Sequence, residues 1–326
     1  MASAREWLEG ARVRTLPASV APVIAGSGVA WFASKVSAPT LFTTGRLSLT
    51  DWLLPLLCLV VGVYVQVGSN FANDYSDGIR GTDDVRVGPQ RLVGSRAATP
   101  RQVKIAAFVC FAISCLAGLG IVVVTGQWEL IIVGAACVAA AWFYTGGRHP
   151  YGYAGLGEVF VFIFFGLVAT LGTVYVQTRY VCPDCTAEGC PACFQDMPWV
   201  TGILVAAVMG SLSVAILVAN NLRDIDTDKQ AGKHTLPTRL GDRGTRVFYV
   251  SLVALSVVGV VAVGGLVSWW ALLGLAGLVL LIEPIRLVVR GAKGRDLIVV
   301  LKATGVAELV TAVGLLTGFA IGWFHG

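Results

Sequence analysis

Two short stretches rich in Asn and Asp each follow a long hydrophobic run, and they hold the residues best suited to chemistry. The first, NFANDYSD, covers residues 70–77, and the second, NNLRDIDTD, covers residues 220–228. If each hydrophobic helix continues through its stretch, spacings of three, four and seven residues place these side chains on one helical face. The shared face holds Asn70, Asn73, Asp74 and Asp77 in the first stretch and Asn221, Asp224 and Asp228 in the second.

Placing acidic side chains beside an apolar run that is long enough to span a membrane costs free energy, so their presence there indicates a functional site. Carboxylate and amide oxygens without thiol or imidazole favour a hard cation such as Mg²⁺ over zinc. Mg²⁺ commonly takes only one or two carboxylates and completes its shell with water and phosphate oxygens. The simpler interpretation, solvated loop acids or helix caps, explains one Asp better than two such clusters. The sequence therefore predicts bound divalent cations that in turn bind a pyrophosphate group.

Basic side chains follow both acidic stretches. Arg91 lies in the segment GPQRLV after the first, and Lys233 lies in GKHTLP after the second. Arg offers fork-shaped donors to phosphate and Lys a point charge. Most basic residues in these loops are explained as topology signals, but these two lie in Gly- or Pro-marked loops near the acids. We therefore predict that they contact the phosphate group.

The composition is that of a helical membrane protein. Of 326 residues, 56% are hydrophobic and 13% charged, and the mean hydropathy is +0.77, whereas soluble domains carry about a quarter charged residues. Because an open sheet cannot satisfy its backbone in lipid, we expect an all-α, polytopic chain. We predict one domain, residues 1–326, whose helices enclose a cytoplasm-facing cavity. Nine apolar runs are candidate transmembrane helices: 15–33, 52–73, 102–125, 127–145, 157–177, 198–220, 246–264, 268–289 and 298–323.

The distribution of charge predicts how these spans are oriented. With nine spans, all but three of the 24 Lys and Arg residues fall on the side of the N-terminus; the exceptions are Lys35, Arg46 and Arg179. The positive-inside rule then places the N-terminus and both acidic stretches in the cytoplasm and the C-terminus outside. We predict a multi-pass protein of the cell (inner) membrane. The net charge of +5 needs no nucleic-acid partner to explain it.

The predicted external loop, residues 178–197, is rich in cysteine. It contains two CxxC pairs: Cys182, Cys185, Cys190 and Cys193. Disulfides are the first interpretation in an oxidising space and a four-thiolate zinc site the second. Either would lie far from the acids, so we assign this loop no catalytic role. Glu308, inside the ninth span, has two open interpretations: a base facing the cavity, or a carboxyl paired inside the bundle.

These motifs resemble those of the UbiA superfamily of intramembrane prenyltransferases, and the resemblance covers nearly the whole chain. The segments NDYSD at 73–77 and DIDTD at 224–228 are similar to the two aspartate motifs of that family. Within it, the chain most resembles the 1,4-dihydroxy-2-naphthoate polyprenyltransferases of menaquinone synthesis. The segments that carry this closer likeness are RTLP at 14–17, GTD at 81–83, GPQRLV at 88–93, GLGE at 155–158, NNLRD at 220–224 and GKHTL at 232–236.

The resemblance implies an all-helical bundle that joins polyprenyl diphosphate to 1,4-dihydroxy-2-naphthoate with Mg²⁺ as cofactor. The implied metal ligands are Asn73, Asp77, Asp224 and Asp228, with Asp74 and Asp83 as supports or further ligands. Asp83 is included because Gly81 stands where the family often has another Asp. The implied substrate contacts are Asn70, Arg14, Arg91 and Lys233 for the diphosphate side, and Arg148 for the naphthoate carboxylate. Asp77, Asp224, Asp228 and Tyr144 are the implied catalytic residues.

Other interpretations remain open at this point. Tyr144 could be an interface tyrosine and Arg148 a topology signal. The same chemistry could act on 4-hydroxybenzoate or homogentisate. A CDP-alcohol phosphotransferase is less compatible, because its acids form one compact cluster with an Asp-Gly-x-x-Ala-Arg pattern. A cation transporter would carry its acids near the bilayer midplane, whereas these lie at helix ends beside basic loops.

Overall fold

The computed structural model describes residues 2–37, 49–81, 91–181 and 198–325, and all regular secondary structure within these ranges is helical. This confirms the all-α prediction. The helices are α1 (Ala4–Gly10), α2 (Pro17–Ser37), α3 (Leu49–Ile79), α4 (Pro100–Thr125), α5 (Leu130–Phe143), α6 (Gly157–Val161), α7 (Ala169–Val181), α8 (Trp199–Gln230), α9 (Leu236–Leu266), α10 (Leu275–Val279), α11 (Ile282–Val289) and α12 (Arg295–His325). A π-helical segment, Phe162–Val168, joins α6 to α7, and short 3₁₀ turns cover Val13–Thr15, Tyr151–Ala154 and Trp269–Gly274.

Six helices of the described residues are long and apolar enough to cross a membrane, and up to eight spans result if two bent helix pairs each count as one. The bent pairs are Ala4–Thr15 with Pro17–Ala33 and Trp269–Val279 with Ile282–Val289. The remaining apolar helix, α5, has 14 residues. At 1.5 Å per residue it is about 21 Å long, short of the roughly 30 Å hydrocarbon core. The chain is therefore a multi-pass membrane protein, and the count of nine spans stays a prediction.

Helix α8 forms the centre of the bundle and packs against α9, α12 and α2. Small residues allow α8 to pack closely against the π-helical segment. A Cβ built on Gly166 would lie 2.7 Å from the Cα of Gly210 on α8. Such contacts are typical of membrane helices, where packing rather than the hydrophobic effect holds helices together. Gly166 lies in the π-helical segment, an irregularity often found at functional sites. This crossing fixes α8, and with it the second acidic stretch, against the chain between α6 and α7.

The outer faces of several helices are apolar. On α4 and α5 the exposed apolar side chains that do not line the cavity described below include Ile105, Phe108, Val109, Leu116, Val123 and Ile132. Exposed apolar area of this extent is unusual for a soluble monomer and is what a lipid-facing surface requires. It agrees with the membrane location of the chain.

The helices that carry the acidic stretches extend beyond their apolar runs, as the spacing predicts. Helix α3 continues to Ile79 and α8 to Gln230, so both Asn/Asp stretches are helical. Helix α1 begins with a capping box formed by Ser3 and Glu6, and Trp7 packs edge-on against Phe71 of α3 with ring centroids 5.5 Å apart. The N-terminal segment is thereby docked beside the first acidic stretch.

Candidate active site

The ends of α3 and α8 meet through Lys233. Its Nζ lies 3.2 Å from Oδ1 of Asp77 on α3 and 4.0 Å from Oδ1 of Asp228 on α8. The backbone holds this lysine in place, because the Lys233 N–H donates to the carbonyl of Asp228 at 2.8 Å. Two acidic stretches far apart in sequence therefore share one cation.

Asp77 lies at the centre of the site and is only 3% exposed. Besides Lys233, it accepts hydrogen bonds from Arg91, with Nη2 3.3 Å from Oδ2, and from the hydroxyl of Tyr153. Burial and the nearby Asp77 carboxylate raise the pKa of Tyr153 above its ordinary value. The tyrosine therefore stays protonated and donates. A buried carboxylate with three donors is held in one orientation.

Asp74 fixes the segment that carries Arg91. Its Oδ2 accepts from the Leu92 N–H at 2.8 Å and its Oδ1 from the Val93 N–H at 3.0 Å. Asp74 is buried and does not line the cavity described below. These contacts are those of a supporting residue, because they place Arg91 against Asp77; a role as a further metal ligand stays a prediction.

The second acidic stretch forms its own network on α8. Asp224 accepts two bonds from Arg223, Nε–Oδ1 and Nη2–Oδ2, both 2.7 Å long. The same guanidinium reaches Oδ1 of Asn220 at 2.9 Å. Asn221 donates to Glu158 at 3.1 Å, which ties α8 to α6. All of these groups except Glu158 line the cavity.

The N-terminal segment is fastened to α3 by amide side chains. Asn70 donates from Nδ2 to the carbonyl of Ala11 at 2.9 Å, and Gln66 donates to Oγ1 of Thr15 at 3.1 Å. Asn70, predicted to bind substrate, thus has its amide group engaged by the backbone. The segment it holds brings Arg12 and Arg14 to the cavity wall. Arg12 adopts a left-handed conformation with φ of 53°, a strained state more often seen at functional sites.

A cavity of about 1020 Å³ opens between these helix ends and extends into the bundle. Its walls combine the polar groups above with an apolar part to which α4, α5 and the π-helical segment contribute. The predicted site residues that line it are Arg14, Asn70, Asn73, Asp77, Arg91, Tyr144, Asp224, Asp228 and Lys233. Arg148 is exposed and does not line it, so its predicted contact with the naphthoate carboxylate is not supported. Asp83 lies outside the described residues.

The donor set fits Mg²⁺ in its chemistry. Asn73 offers a buried Oδ1 that has no hydrogen-bond partner among the described residues, and Asp77, Asp224 and Asp228 add carboxylates at the same cavity end. Within the described ranges, no three His, Cys, Asp or Glu side chains cluster closely enough to hold an ion by themselves. This is compatible with Mg²⁺, which often takes few protein ligands and relies on substrate phosphates.

Three residues of the site were not predicted from the sequence. Tyr153 comes from a turn between spans, and nothing in its local sequence points to Asp77. Arg12 lies two residues before the RTLP segment and has a left-handed backbone conformation. Arg223 lies inside the second stretch, and its position next to Asp224 was the one available signal.

Glu308 pairs inside the bundle. It is fully buried on α12, and its Oε1 accepts from the Ser213 hydroxyl at 2.6 Å. Ser213 lines the cavity whereas Glu308 does not. The second of the two interpretations from sequence therefore agrees with the structure. The four cysteines of the predicted external loop lie outside the described residues.

A membrane bundle with acidic and basic groups at the mouth of a deep, largely apolar cavity is suited to a substrate with an anionic head and an apolar tail. The chain matches the UbiA prenyltransferase family over residues 20–303 and belongs to that family.

Similar proteins agree with this assignment. The chain is 48% identical to 1,4-dihydroxy-2-naphthoate octaprenyltransferase of Mycobacterium tuberculosis (strain ATCC 25618 / H37Rv), over 99% of both chains. Its fold is similar to the apo structure of a UbiA homolog from Aeropyrum pernix K1, with a TM-score of 0.66, 15% identity and coverage of 93% and 97%. A UbiA homolog from Archaeoglobus fulgidus bound to GPP and Mg²⁺ gives a TM-score of 0.56, with 14% identity and coverage of 97% and 99%.

Proposed function

We propose that this chain transfers a polyprenyl group from polyprenyl diphosphate to 1,4-dihydroxy-2-naphthoate, in a Mg²⁺-dependent reaction that also removes the ring carboxylate. The observation that carries the proposal is the meeting of Asp77 and Asp228 around Lys233 at the mouth of an apolar cavity. The relative from Mycobacterium tuberculosis, similar over its whole length, supports the choice of acceptor.

The diphosphate would lie between the ends of α3 and α8. Asn73, Asp77, Asp224 and Asp228 would hold Mg²⁺, which when bound neutralises charge that develops on the departing diphosphate. Arg91 and Lys233, both nearly buried beside Asp77, would contact the phosphate oxygens, and Arg14 would do so from the N-terminal segment. Such preorganised donors stabilise a leaving group without having to reorganise during the reaction.

The apolar part of the cavity would hold the prenyl tail and exclude water from the reacting carbon. The bond between C1 of the prenyl chain and the diphosphate oxygen breaks, and its electron pair leaves with the diphosphate. The naphthoate carbon that bears the carboxylate then forms a bond to C1. Loss of CO₂ returns the electron pair to the ring, giving a prenylated naphthoquinol. The ring of Tyr144, which lines the cavity, would face the positive charge on the allylic carbon.

We further propose that the enzyme resides in the cell membrane with this site open to the cytoplasm. The support is the concentration of Lys and Arg on one side of the predicted spans, which the positive-inside rule assigns to the cytoplasm. Labelling of single cysteines introduced near Lys233 and near the C-terminus, in intact cells and in inverted vesicles, tests this. Labelling of the Lys233 region from outside intact cells would contradict it.

The function is tested by mass spectrometry of the lipid formed by the purified protein from a prenyl diphosphate, Mg²⁺ and the naphthoate. We expect a product whose mass equals that of the naphthoate anion plus the prenyl group minus CO₂. Parallel reactions with 4-hydroxybenzoate and homogentisate measure acceptor choice. Product only with one of those acceptors, or a naphthoate product that keeps its carboxylate, would contradict the proposal.

A further inference from the structure

The 3₁₀ turn Tyr151–Ala154 contacts several of the elements that form the site. The carbonyl of Tyr153 accepts from the His234 N–H at 2.9 Å, next to Lys233, and that of Ala154 accepts from Arg239 at 2.9 Å. The Gly152 N–H donates to the carbonyl of Tyr144 at the end of α5. The turn thus joins the end of α5 to the segment that follows α8.

Within this turn, the Tyr153 side chain contacts both halves of the diphosphate site. Its hydroxyl donates to Oδ1 of Asp77, the oxygen that also receives Lys233. Its ring lies under the Lys233 ammonium, with Nζ 4.6 Å from the ring centroid. One aromatic residue therefore touches the central carboxylate of α3 and the lysine that bridges to α8.

A second cation lies against the same ring. The guanidinium carbon of Arg80 is 5.4 Å from the centroid of Tyr153. Arg80 is itself fixed by two bonds to backbone carbonyls, to Thr145 at 2.6 Å and to Gly147 at 2.5 Å. Cations at such distances from an aromatic ring are attracted to its face, the more so where water is excluded. The ring thereby adds a contact to a lysine whose ammonium also pairs with Asp77 and Asp228.

We infer that Tyr153 is a positioning residue of the diphosphate site: its hydroxyl orients Asp77, and its ring keeps Lys233 between Asp77 and Asp228. The inference rests on the proposed function, since it assigns Tyr153 to the site where Mg²⁺ and diphosphate would bind. The two contacts predict two separable effects. Loss of the hydroxyl should raise the Mg²⁺ concentration needed for half-maximal binding. Loss of the ring should in addition lower the affinity for the diphosphate group.

Two variants separate these effects, and a third is the matched control. Tyr153→Phe removes the hydroxyl and keeps the ring, while Tyr153→Leu removes both. Tyr249→Phe makes the same chemical change at a buried tyrosine whose hydroxyl bonds to Thr304 at 2.8 Å, away from the cavity. All three are measured for binding of an unreactive prenyl thiodiphosphate by calorimetry in detergent, across a series of Mg²⁺ concentrations.

For Tyr153→Phe, we expect the Mg²⁺ concentration that gives half-maximal binding to rise about tenfold, because a hydrogen bond to a charged group is lost. Analogue affinity at saturating Mg²⁺ should stay near that of the wild type. Tyr153→Leu should show the same rise and, in addition, about tenfold weaker binding without Mg²⁺, since Lys233 loses its contact with the aromatic ring. Tyr249→Phe should match the wild type in both measurements.

Unchanged Mg²⁺ dependence in a folded Tyr153→Phe protein would overturn the inference, and so would an equal change in Tyr249→Phe. The Phe variant alone decides the matter if Tyr153→Leu does not fold. If the proposed function is wrong, the wild type itself should bind the analogue without any response to Mg²⁺. That result would also remove the basis of this inference.

Discussion

A double-mutant cycle on Asp77 and Lys233 tests whether the ends of α3 and α8 are held together as the structure places them. The changes are Asp77→Asn and Lys233→Met, singly and together, because each removes a charge and nearly preserves volume. Nζ and Oδ1 are 3.2 Å apart, and the two side chains are 12% and 4% exposed. At an effective dielectric constant of about 20, two unit charges at that separation attract by about 5 kcal/mol before desolvation is subtracted.

Desolvation and the remaining partners reduce this figure. Asp77 keeps Arg91 and Tyr153 when Lys233 is changed, and Lys233 keeps Asp228 when Asp77 is changed. Removing one member of a buried pair typically costs about 3–5 kcal/mol, so with these partners we expect each single change to cost about 2–3 kcal/mol. The double variant should lose less than the sum, with a coupling energy of about 1.5–3 kcal/mol.

The assay is equilibrium unfolding in mixed micelles as the fraction of SDS is raised, followed by circular dichroism. A matched control is the pair Arg5 and Glu9, which is also 3.2 Å long but whose side chains are 88% and 42% exposed. Its cycle should give a coupling of no more than about 0.5 kcal/mol, as for other exposed helix pairs. Additivity of Asp77→Asn and Lys233→Met within about 0.5 kcal/mol would refute the claim that this pair joins the two helix ends.

Four further changes test individual residues of the site. Asn73→Ala should raise the Mg²⁺ concentration needed for half-maximal turnover several-fold without lowering the unfolding midpoint, because its Oδ1 has no hydrogen-bond partner in the part of the chain that the structure describes; a midpoint shift with unchanged Mg²⁺ dependence would argue against a ligand. Asp74→Ala should cost about 2–3 kcal/mol by leaving the buried Leu92 N–H and the partly buried Val93 N–H unpaired, and it should weaken prenyl diphosphate binding through Arg91; unchanged unfolding would contradict this role. Arg148→Ala should leave the KM for the naphthoate within about twofold, since the side chain is exposed outside the cavity, and a large rise in KM would reinstate the contact predicted from sequence. Glu308→Gln should keep most turnover because the carboxyl pairs with a hydroxyl inside the bundle; a stable but inactive variant would make Glu308 a base.

The helical class and the continuation of α3 and α8 through the acidic stretches could be predicted, because both follow from composition and local periodicity. The different roles of the residues on one face of α3 could not be predicted. Asn73 and Asp77 line the cavity, while Asp74 turns to the backbone of the segment carrying Arg91. Consecutive residues are about 100° apart around a helix. Residues that the spacing assigns to one face can therefore contact two different neighbours.

The sequence placed the loop residues Arg91 and Lys233 near the acids, but other contacts made by loops could not be predicted. Arg12 reaches the cavity through a left-handed backbone, and Tyr153 reaches Asp77 only once the turn after α5 is placed. Arg148, chosen from its position after a span, lies outside the cavity. The number of spans also depends on where each helix begins and ends. The predicted span 127–145 corresponds to a helix that begins at Leu130, because Gly126 ends the preceding helix in a left-handed conformation.

The most direct measurement is calorimetric binding of a prenyl thiodiphosphate, with and without Mg²⁺, to the wild type and to Asp77→Asn and Asp228→Asn. If both helix ends hold one headgroup, the wild type should bind tightly only with Mg²⁺, and each variant should lose most of that metal-dependent affinity while remaining folded. Full metal-dependent binding by either folded variant would mean that one helix end suffices, and it would contradict the shared site.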